Sequence, residues 1–291
     1  MEDLIAKAAG MIEALPFIQR FRNETVVVKF GGSLLDNEPS CASILQDISF
    51  MEVVGLRPVL VHGGGKAISR KMSELNLNPK FVQGLRVTDA TTMQVVEESL
   101  NGVVNAHLVK QIQAMGCRSA GIHGQTILSA SRRTGTDPDS GELLDWGYVG
   151  EVTGVDTTPI EECASSQAVP VITPLGRGKD GHTYNINADE AAAAIAASLP
   201  ARKLVYLSDV PGLLENPKDA STLISHVKSA DVEELIQAGV IRGGMIPKIR
   251  SAVQTLEAGV NKVHIVDASM RHSLLLELFT ERGVGTEIVK S

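Results

Sequence analysis

With 291 residues, 43% hydrophobic and 21% charged, the chain has a globular composition and enough length for two ordinary domains or one large α/β unit. Its 27 Lys and Arg against 34 Asp and Glu give a net charge of −7, which excludes a general attraction to nucleic acid or to an anionic membrane. The longest strongly apolar run, Ala191 to Leu199, falls well short of the roughly 20 residues a membrane span needs, and Glu2 and Asp3 do not suit a basic signal sequence. A cytoplasmic protein is expected.

Leu4, Ile5, Ala8, Met11, Ile12 and Leu15 recur at helical spacing, which predicts an amphipathic helix over residues 2–15, ended by Pro16. Thr25 to Lys29 follows as a β-branched run that stops at Gly31-Gly32 and reads as a buried strand. Further strands are predicted at Pro58 to Val61, Ala120 to His123, Ala168 to Ile172, Lys203 to Leu207 and Lys262 to Val266. Helical patterns lie between them, at Ala90 to Met115, Ala188 to Leu199 and Ile246 to Ala258. Such alternation predicts an α/β fold, a mostly parallel sheet covered by helices on both faces and continuous through the molecule.

The stretch Ile127 to Val152 differs. Gly135, Asp137-Pro138 and Ser140-Gly141 punctuate short alternating segments, which predicts antiparallel hairpins inserted at one edge. Within it, Arg133 to Tyr148 is long and acidic and is expected to form a surface hairpin. A soft boundary near Thr173 to Asp180 divides the chain into residues 23–175 and 176–291, with residues 1–22 as a separate N-terminal helix.

The chemistry concentrates where glycines follow strands, because open α/β sheets bind ligands at the carboxyl ends of their strands. Four segments fit: Lys29-Phe30-Gly31-Gly32-Ser33, His62-Gly63-Gly64-Gly65-Lys66, Ser208-Asp209-Val210-Pro211-Gly212 and Gly243-Gly244-Met245-Ile246-Pro247-Lys248. Neither a P-loop nor a G-x-G-x-x-G fingerprint is present. Short glycine turns with separated lysines suit anion binding and phosphoryl transfer. Cys41, Cys117 and Cys163 form no C-x-x-C pair, and the 7 histidines show no H-x-x-x-H spacing, so neither a disulfide framework, a cysteine-based metal site nor a zinc-protease helix is expected. With aromatics at 3% and a single Trp146, stacking platforms for single-stranded nucleic acid are hard to build.

The order KFGGS, VHGGGKAI, GLRVTD (Gly84 to Asp89), NINADEAAAAIA, LSDVPGLL and GGMIPK resembles the amino-acid kinase superfamily over nearly the whole chain. GLRVTD combined with NINADE is most similar to its acetylglutamate kinase family. That resemblance implies a three-layer αβα sandwich with the N-terminal helix and β-hairpins as additions. It also implies ATP-dependent phosphorylation of the side-chain carboxylate of N-acetyl-L-glutamate, the second step of arginine biosynthesis, with Mg2+ carried by the nucleotide. By resemblance, Lys29, Lys248 and Asp189 are catalytic. Gly64, Gly65, Arg86 and Asn185 hold the amino-acid substrate, and Asn187 supports Asp189. Gly31, Gly32, Ser208, Asp209, Gly212, Leu213, Gly243 and Gly244 serve the nucleotide. A carboxylate nucleophile is already ionised at pH 7, so the absence of an obvious general base agrees with this chemistry.

Arginine-sensitive relatives carry an N-terminal helix of this kind. The resemblance therefore implies a hexameric trimer of dimers inhibited by L-arginine, through Lys203, His272, Glu277 and Gly283, with Phe17 where relatives often have Tyr. A PII-type signalling protein is a further expected partner. The competing readings are a glutamate 5-kinase-like or aspartokinase-like enzyme, or a non-catalytic amino-acid sensor on the same fold. Retention of Lys29, Asp189 and Lys248 weighs against a sensor, which needs no phosphoryl clamp.

Overall fold

The computed structural model describes residues 2–32, 34–137 and 141–291. Helix α1 (Glu2–Phe21) leads into β1 (Thr25–Phe30), α2 (Glu38–Val53), β2 (Arg57–His62) and α3 (Gly65–Glu74). The two-residue strands β3 (Phe81–Val82) and β4 (Leu85–Arg86) precede α4 (Ala90–Glu97), a π-helical stretch (Glu98–Asn105) and α5 (Ala106–Ala114). Next come β5 (Arg118–Ile122), β6 (Leu128–Arg132), β7 (Gly135–Thr136), β8 (Leu143–Leu144), β9 (Val149–Val155), α6 (Thr158–Ser165) and β10 (Ala168–Ile172). The remainder comprises β11 (Leu175–Gly178), β12 (Thr183–Ile186), α7 (Ala188–Ser198), β13 (Lys203–Ser208) and β14 (His226–Lys228). It ends with α8 (Val232–Gln237), α9 (Met245–Glu257), β15 (Lys262–Asp267), α10 (Ser273–Phe279) and β16 (Thr286–Val289).

One eight-stranded sheet runs through the molecule in the order β14-β16-β15-β13-β1-β2-β10-β5. The six strands expected from the sequence all lie in it, mutually parallel. The added β16 runs antiparallel to β15, and β14 follows β16. Helices cover both faces, which gives the three-layer sandwich. Val27, Val61, Leu204, Tyr206 and Ile265 share one core with Ala192 and Ile195 of α7 and Ile249 and Ala252 of α9. Val26, Val28, Leu60 and Val205 share the other with Ile44 and Ile48 of α2 and Leu274 of α10.

Two expectations need correction. Pro16 does not end α1, which continues to Phe21. Proline costs a helix one hydrogen bond, but here Phe17, Ile18 and Phe21 beyond it seat against the second core. Phe21 packs edge-on to Phe279 with ring centroids 6.5 Å apart, and tertiary packing outweighs the break. The hairpins of 127–152 do not extend an edge of the main sheet either. β6 and β9 pair with β11 and β12 into a separate small closed barrel. Such tight closure needs bare backbone: a Cβ on Gly150 would lie 2.7 Å from that of Tyr184, and one on Gly176 2.7 Å from that of Ala130. The expected boundary region at 173–180 includes β11, a strand of this barrel.

The acidic hairpin forms as an antiparallel β7–β8 pair, anchored by buried Trp146, whose Nε1 donates to the Val82 carbonyl at 3.0 Å. Its turn residues Pro138 and Ser140, like Ser33 of the first glycine turn, lie outside the described residues. Among the described residues, no helix is long and apolar enough to cross a membrane.

Candidate active site

Alternation along β1 sets the first element of the site. Side chains two apart share a face, so Lys29 points with Val27 towards α7 and α9. Helix α7 begins after Asn187, whose Oδ1 accepts from the Asp189 amide at 2.8 Å, the structural role expected for that asparagine. Its alanines are small enough for the helix to lie close on the sheet, which sets Asp189, in its first turn, beside the end of β1. Lys248 stands in the first turn of α9.

These three side chains meet. Lys29 Nζ lies 2.8 Å from Asp189 Oδ1, and Lys248 Nζ lies 3.4 Å from Oδ2. Burial pushes the Asp189 carboxyl up, but the two ammonium groups overcome that and hold its pKa below the ordinary value, so it stays ionised. Burial pulls Lys248 down, and the Asp189 charge opposes the shift. One carboxylate thus carries two partly buried cations with a net positive charge. Beneath them, fully buried Tyr206 presents its ring 5.4 Å from Lys248 Nζ and its hydroxyl 3.5 Å from the Asp189 carbonyl oxygen. Tyr206 is not legible from sequence as a site residue, because nothing distinguishes it from an apolar filler of the strand.

A cavity of about 550 Å³ opens beside this cluster, with Lys29, Asp189, Gly32, Gly64 and Gly65 in its wall. A Cβ placed on Gly32 would lie 3.1 Å from the Gly65 amide nitrogen and 3.4 Å from that of Gly64. The two glycine turns therefore abut through bare backbone. Neither amide finds a protein acceptor among the described residues. Gly65 also opens α3, so the helix dipole adds to this anion cradle. Gly31, just past the end of β1, is buried.

Arg86 and Asn185 also line this cavity. One guanidinium nitrogen of Arg86 donates to the Gly65 carbonyl (2.9 Å) and to Ser69 Oγ (2.8 Å), and the group stacks on the Phe81 ring at 4.7 Å. Burial lowers its pKa, yet a guanidinium remains cationic. Asn185 Nδ2 donates to Thr88 Oγ1 at 3.3 Å. Ser69 and Phe81 were not legible as Arg86's supports, since they depend on how α3 and the β3–β4 ladder meet.

Of the expected nucleotide residues, Gly32 lines this cavity, and Gly31, Ser208, Asp209, Gly212, Leu213, Gly243 and Gly244 do not. Ser208 ends β13, and Asp209 follows close enough for its charge to raise the Lys248 pKa. Leu213 is buried, its amide donating to Thr286 Oγ1 at 2.8 Å beside Gly212. Gly243 and Gly244 lead into α9, with open space where a side chain would be. A larger cavity, about 650 Å³, lies against Tyr148 and, in the small barrel, Tyr184, and none of the four glycine turns contributes to it.

A third cavity, about 590 Å³, separates α1 from the C-terminal strands and is lined by Phe17, Lys203, Glu277 and Gly283. Glu277 is buried and accepts from the amides of Val284 (2.6 Å) and Gly285 (2.9 Å), with His264 Nδ1 at 2.6 Å from its other oxygen. Lys203 Nζ sits 5.0 Å from the Phe21 ring centroid. His272 is not in this cavity wall: its Nδ1 meets Asp47 Oδ1 at 2.6 Å and its amide donates to Ser43 of α2 at 2.9 Å.

Comparison with known proteins agrees with this architecture. Residues 24–267 match the family model for the amino acid kinase family. Acetylglutamate kinase of Symbiobacterium thermophilum is 43% identical over 291 residues, covering 99% of both chains. N-acetylglutamate synthase from Neisseria gonorrhoeae, solved with coenzyme A and N-acetyl-glutamate, superimposes with a TM-score of 0.83 at 30% identity over 98% of this chain. The present chain spans 63% of that synthase's length. The same synthase complexed with coenzyme A and L-arginine gives a TM-score of 0.81 at 28% identity. The chain belongs to the amino acid kinase family and, within it, to the acetylglutamate kinases.

Proposed function

We propose that this protein transfers the γ-phosphoryl group of ATP to the side-chain carboxylate of N-acetyl-L-glutamate, giving N-acetyl-L-glutamyl 5-phosphate for arginine biosynthesis. The carrying observation is the Lys29–Asp189–Lys248 cluster beside a cavity that Arg86 also lines. The reaction brings two anions together and needs no base, so the protein's task is to neutralise charge in flight. In this reading Lys29 faces the transferring phosphoryl oxygens and Lys248 the leaving ADP oxygen, while Asp189 holds both in place. The amides of Gly32, Gly64 and Gly65 line the phosphoryl path. Arg86 and Asn185 take the substrate's α-carboxylate and its polar backbone. Residues 23–175 bring most of the acyl-substrate contacts, and 176–291 the nucleotide contacts through Ser208 to Leu213 and Gly243 to Lys248. Asp189 is committed to two ammonium groups, so magnesium is assigned to the nucleotide phosphates. A coupled assay offering N-acetylglutamate, glutamate, aspartate and UMP in parallel tests the assignment, and preference for any of the last three would overturn it.

Arg86→Lys is expected to raise KM for N-acetylglutamate by about tenfold or more, and that for ATP little. Lysine keeps the charge but loses the planar fork that meets two carboxylate oxygens. Equal effects on both substrates would remove Arg86 from the carboxylate site.

Regulation by L-arginine is part of the same proposal. The cavity beneath α1 pairs a buried carboxylate, Glu277, with a buried ammonium, Lys203, matching the two charged ends of arginine. The synthase that superimposes on this chain was itself solved with L-arginine. Burial lowers the Lys203 pKa to about 8, against the pull of Glu287 and Glu277. Above that pH the side chain is increasingly neutral and loses its attraction for the inhibitor's carboxylate. Inhibition should therefore weaken between pH 7 and 8.5, by at most about tenfold per pH unit for one coupled proton. Arginine titrations across that range check this, and a Lys203→Met variant should flatten the dependence.

A further inference from the structure

His62 ends β2 immediately before the glycine turn and is completely buried. Its Nδ1–H donates to the Gly63 carbonyl at 2.8 Å, and its Nε2 accepts from Asn105 Nδ2 at 3.1 Å. The same amide nitrogen of Asn105 donates to the Val171 carbonyl of β10 at 2.8 Å. These partners fix the tautomer, with the proton on Nδ1. Burial lowers the ring's pKa to about 4, against the opposing effect of the Gly63 bond, so the ring stays neutral at neutral pH. On the other side, the Gly63 amide donates to the Phe30 carbonyl at 2.9 Å. Gly63 is thus held at its N–H by β1 and at its C=O by His62. The next two residues are Gly64 and Gly65, whose amides form the anion cradle.

The supply of Asn105 depends on the π-helical stretch Glu98–Asn105. In an α-helix, residues five apart diverge by about 140° around the axis, whereas π geometry, bonding i to i+5, returns them to nearly the same face. Leu100 and Asn105 both turn towards the glycine loop. Leu100 packs where a side chain on Gly64 would stand, and Asn105 reaches His62. Gly121 of β5 makes room, because a Cβ there would overlap Asn105 Oδ1.

We propose that His62 and Asn105 are positioning residues for phosphoryl transfer, acting through the Gly63 carbonyl to aim the Gly64 and Gly65 amides, with the π-helical stretch setting their register. The proposal rests on the kinase reading of the cavity. Its test uses the full chain with His62→Leu, His62→Asn and Gly121→Ala, comparing kcat and both KM values with hydrogen exchange at the amides of residues 63–65. Asparagine places a donor close to the position of Nδ1, so it can keep the bond to Gly63. His62→Leu should lower kcat about 10- to 100-fold, in keeping with misaimed rather than deleted donors, and change either KM by less than about threefold. His62→Asn should recover to within about fivefold of wild type. Gly121→Ala, which touches neither substrate, should lower kcat at least about fivefold, and exchange at the Gly63 amide, bonded to the Phe30 carbonyl, should quicken in both impaired variants. Equal impairment by Leu and Asn, or impaired turnover with unchanged exchange, would overturn the proposal. Should His62→Leu fail to fold, the Asn and Gly121 variants still decide it. Were the wild type inactive on N-acetylglutamate, the kinase reading would fall, and the exchange comparison alone would still accept or reject the role of His62.

Discussion

Turnover with saturating ATP and N-acetylglutamate is expected to fall at least about 10²-fold in Lys29→Ala and in Lys248→Ala, the scale for losing one preorganised charge-stabilising group, about 2.7 kcal/mol of barrier. Each deletion also leaves Asp189 with a single cation, 2.8 Å or 3.4 Å away, in a site where burial already raises the carboxyl's pKa. Asp189→Asn should be no less damaging. It leaves two ammonium groups near each other without the charge that offsets their burial, and Lys248, already lowered, falls further. Steady-state and single-turnover rates on the three variants check this. Near-normal turnover in both lysine variants would dismiss the clamp, however well the cavity still bound substrate.

The second large effect concerns α1. Leu4, Ile5, Met11 and Ile12 are 64%, 62%, 74% and 67% exposed, an apolar stripe on the outer side of a helix whose inner side packs on the core. We propose that this stripe interlaces dimers into a hexamer and that arginine bound beneath the helix acts through it. Light scattering should then show a hexamer for the full chain and a dimer for a chain beginning at Asn23, with arginine inhibition weakened at least about tenfold. Truncation also strips Phe21 from Phe279, so the double variant Ile5→Asp/Ile12→Asp is the cleaner probe, leaving that inner seat intact. A full-length dimer, or inhibition unchanged in both altered chains, would sink the proposal.

The central strands were legible because parallel strands buried on both faces read as short β-branched runs, as in Thr25 to Phe30. The edge strands β14 and β16 were not, since His226–Lys228 and Thr286–Val289 are short and alternate with polar residues. The segment 127–152 announced its hairpins through turn residues. Closure into a barrel depends on β11 and β12, whose glycines and polar residues resemble loop. At the site, the glycine turns and lysines stood out through spacing, and the resemblance assigned their roles. The supporting layer could not be read in the same way. Tyr206 looks like strand filler, Phe81 lies in a two-residue strand, and Asn105 meets His62 only because a helix takes a wider turn.

The position of β1 between β2 and β13 has a consequence for how the protein is made. On the ribosome, β1 emerges almost at once, but the strand that covers its second edge arrives only after most of the chain has been synthesised. Until then Val26, Val27 and Val28 present an unpaired, strongly apolar edge, which favours association with other nascent chains. Parallel pairing across so long a separation is also slow to form. The nascent protein should therefore depend on chaperone binding to its first half, and chains stopped before Lys203 should aggregate rather than persist as a folded substrate lobe.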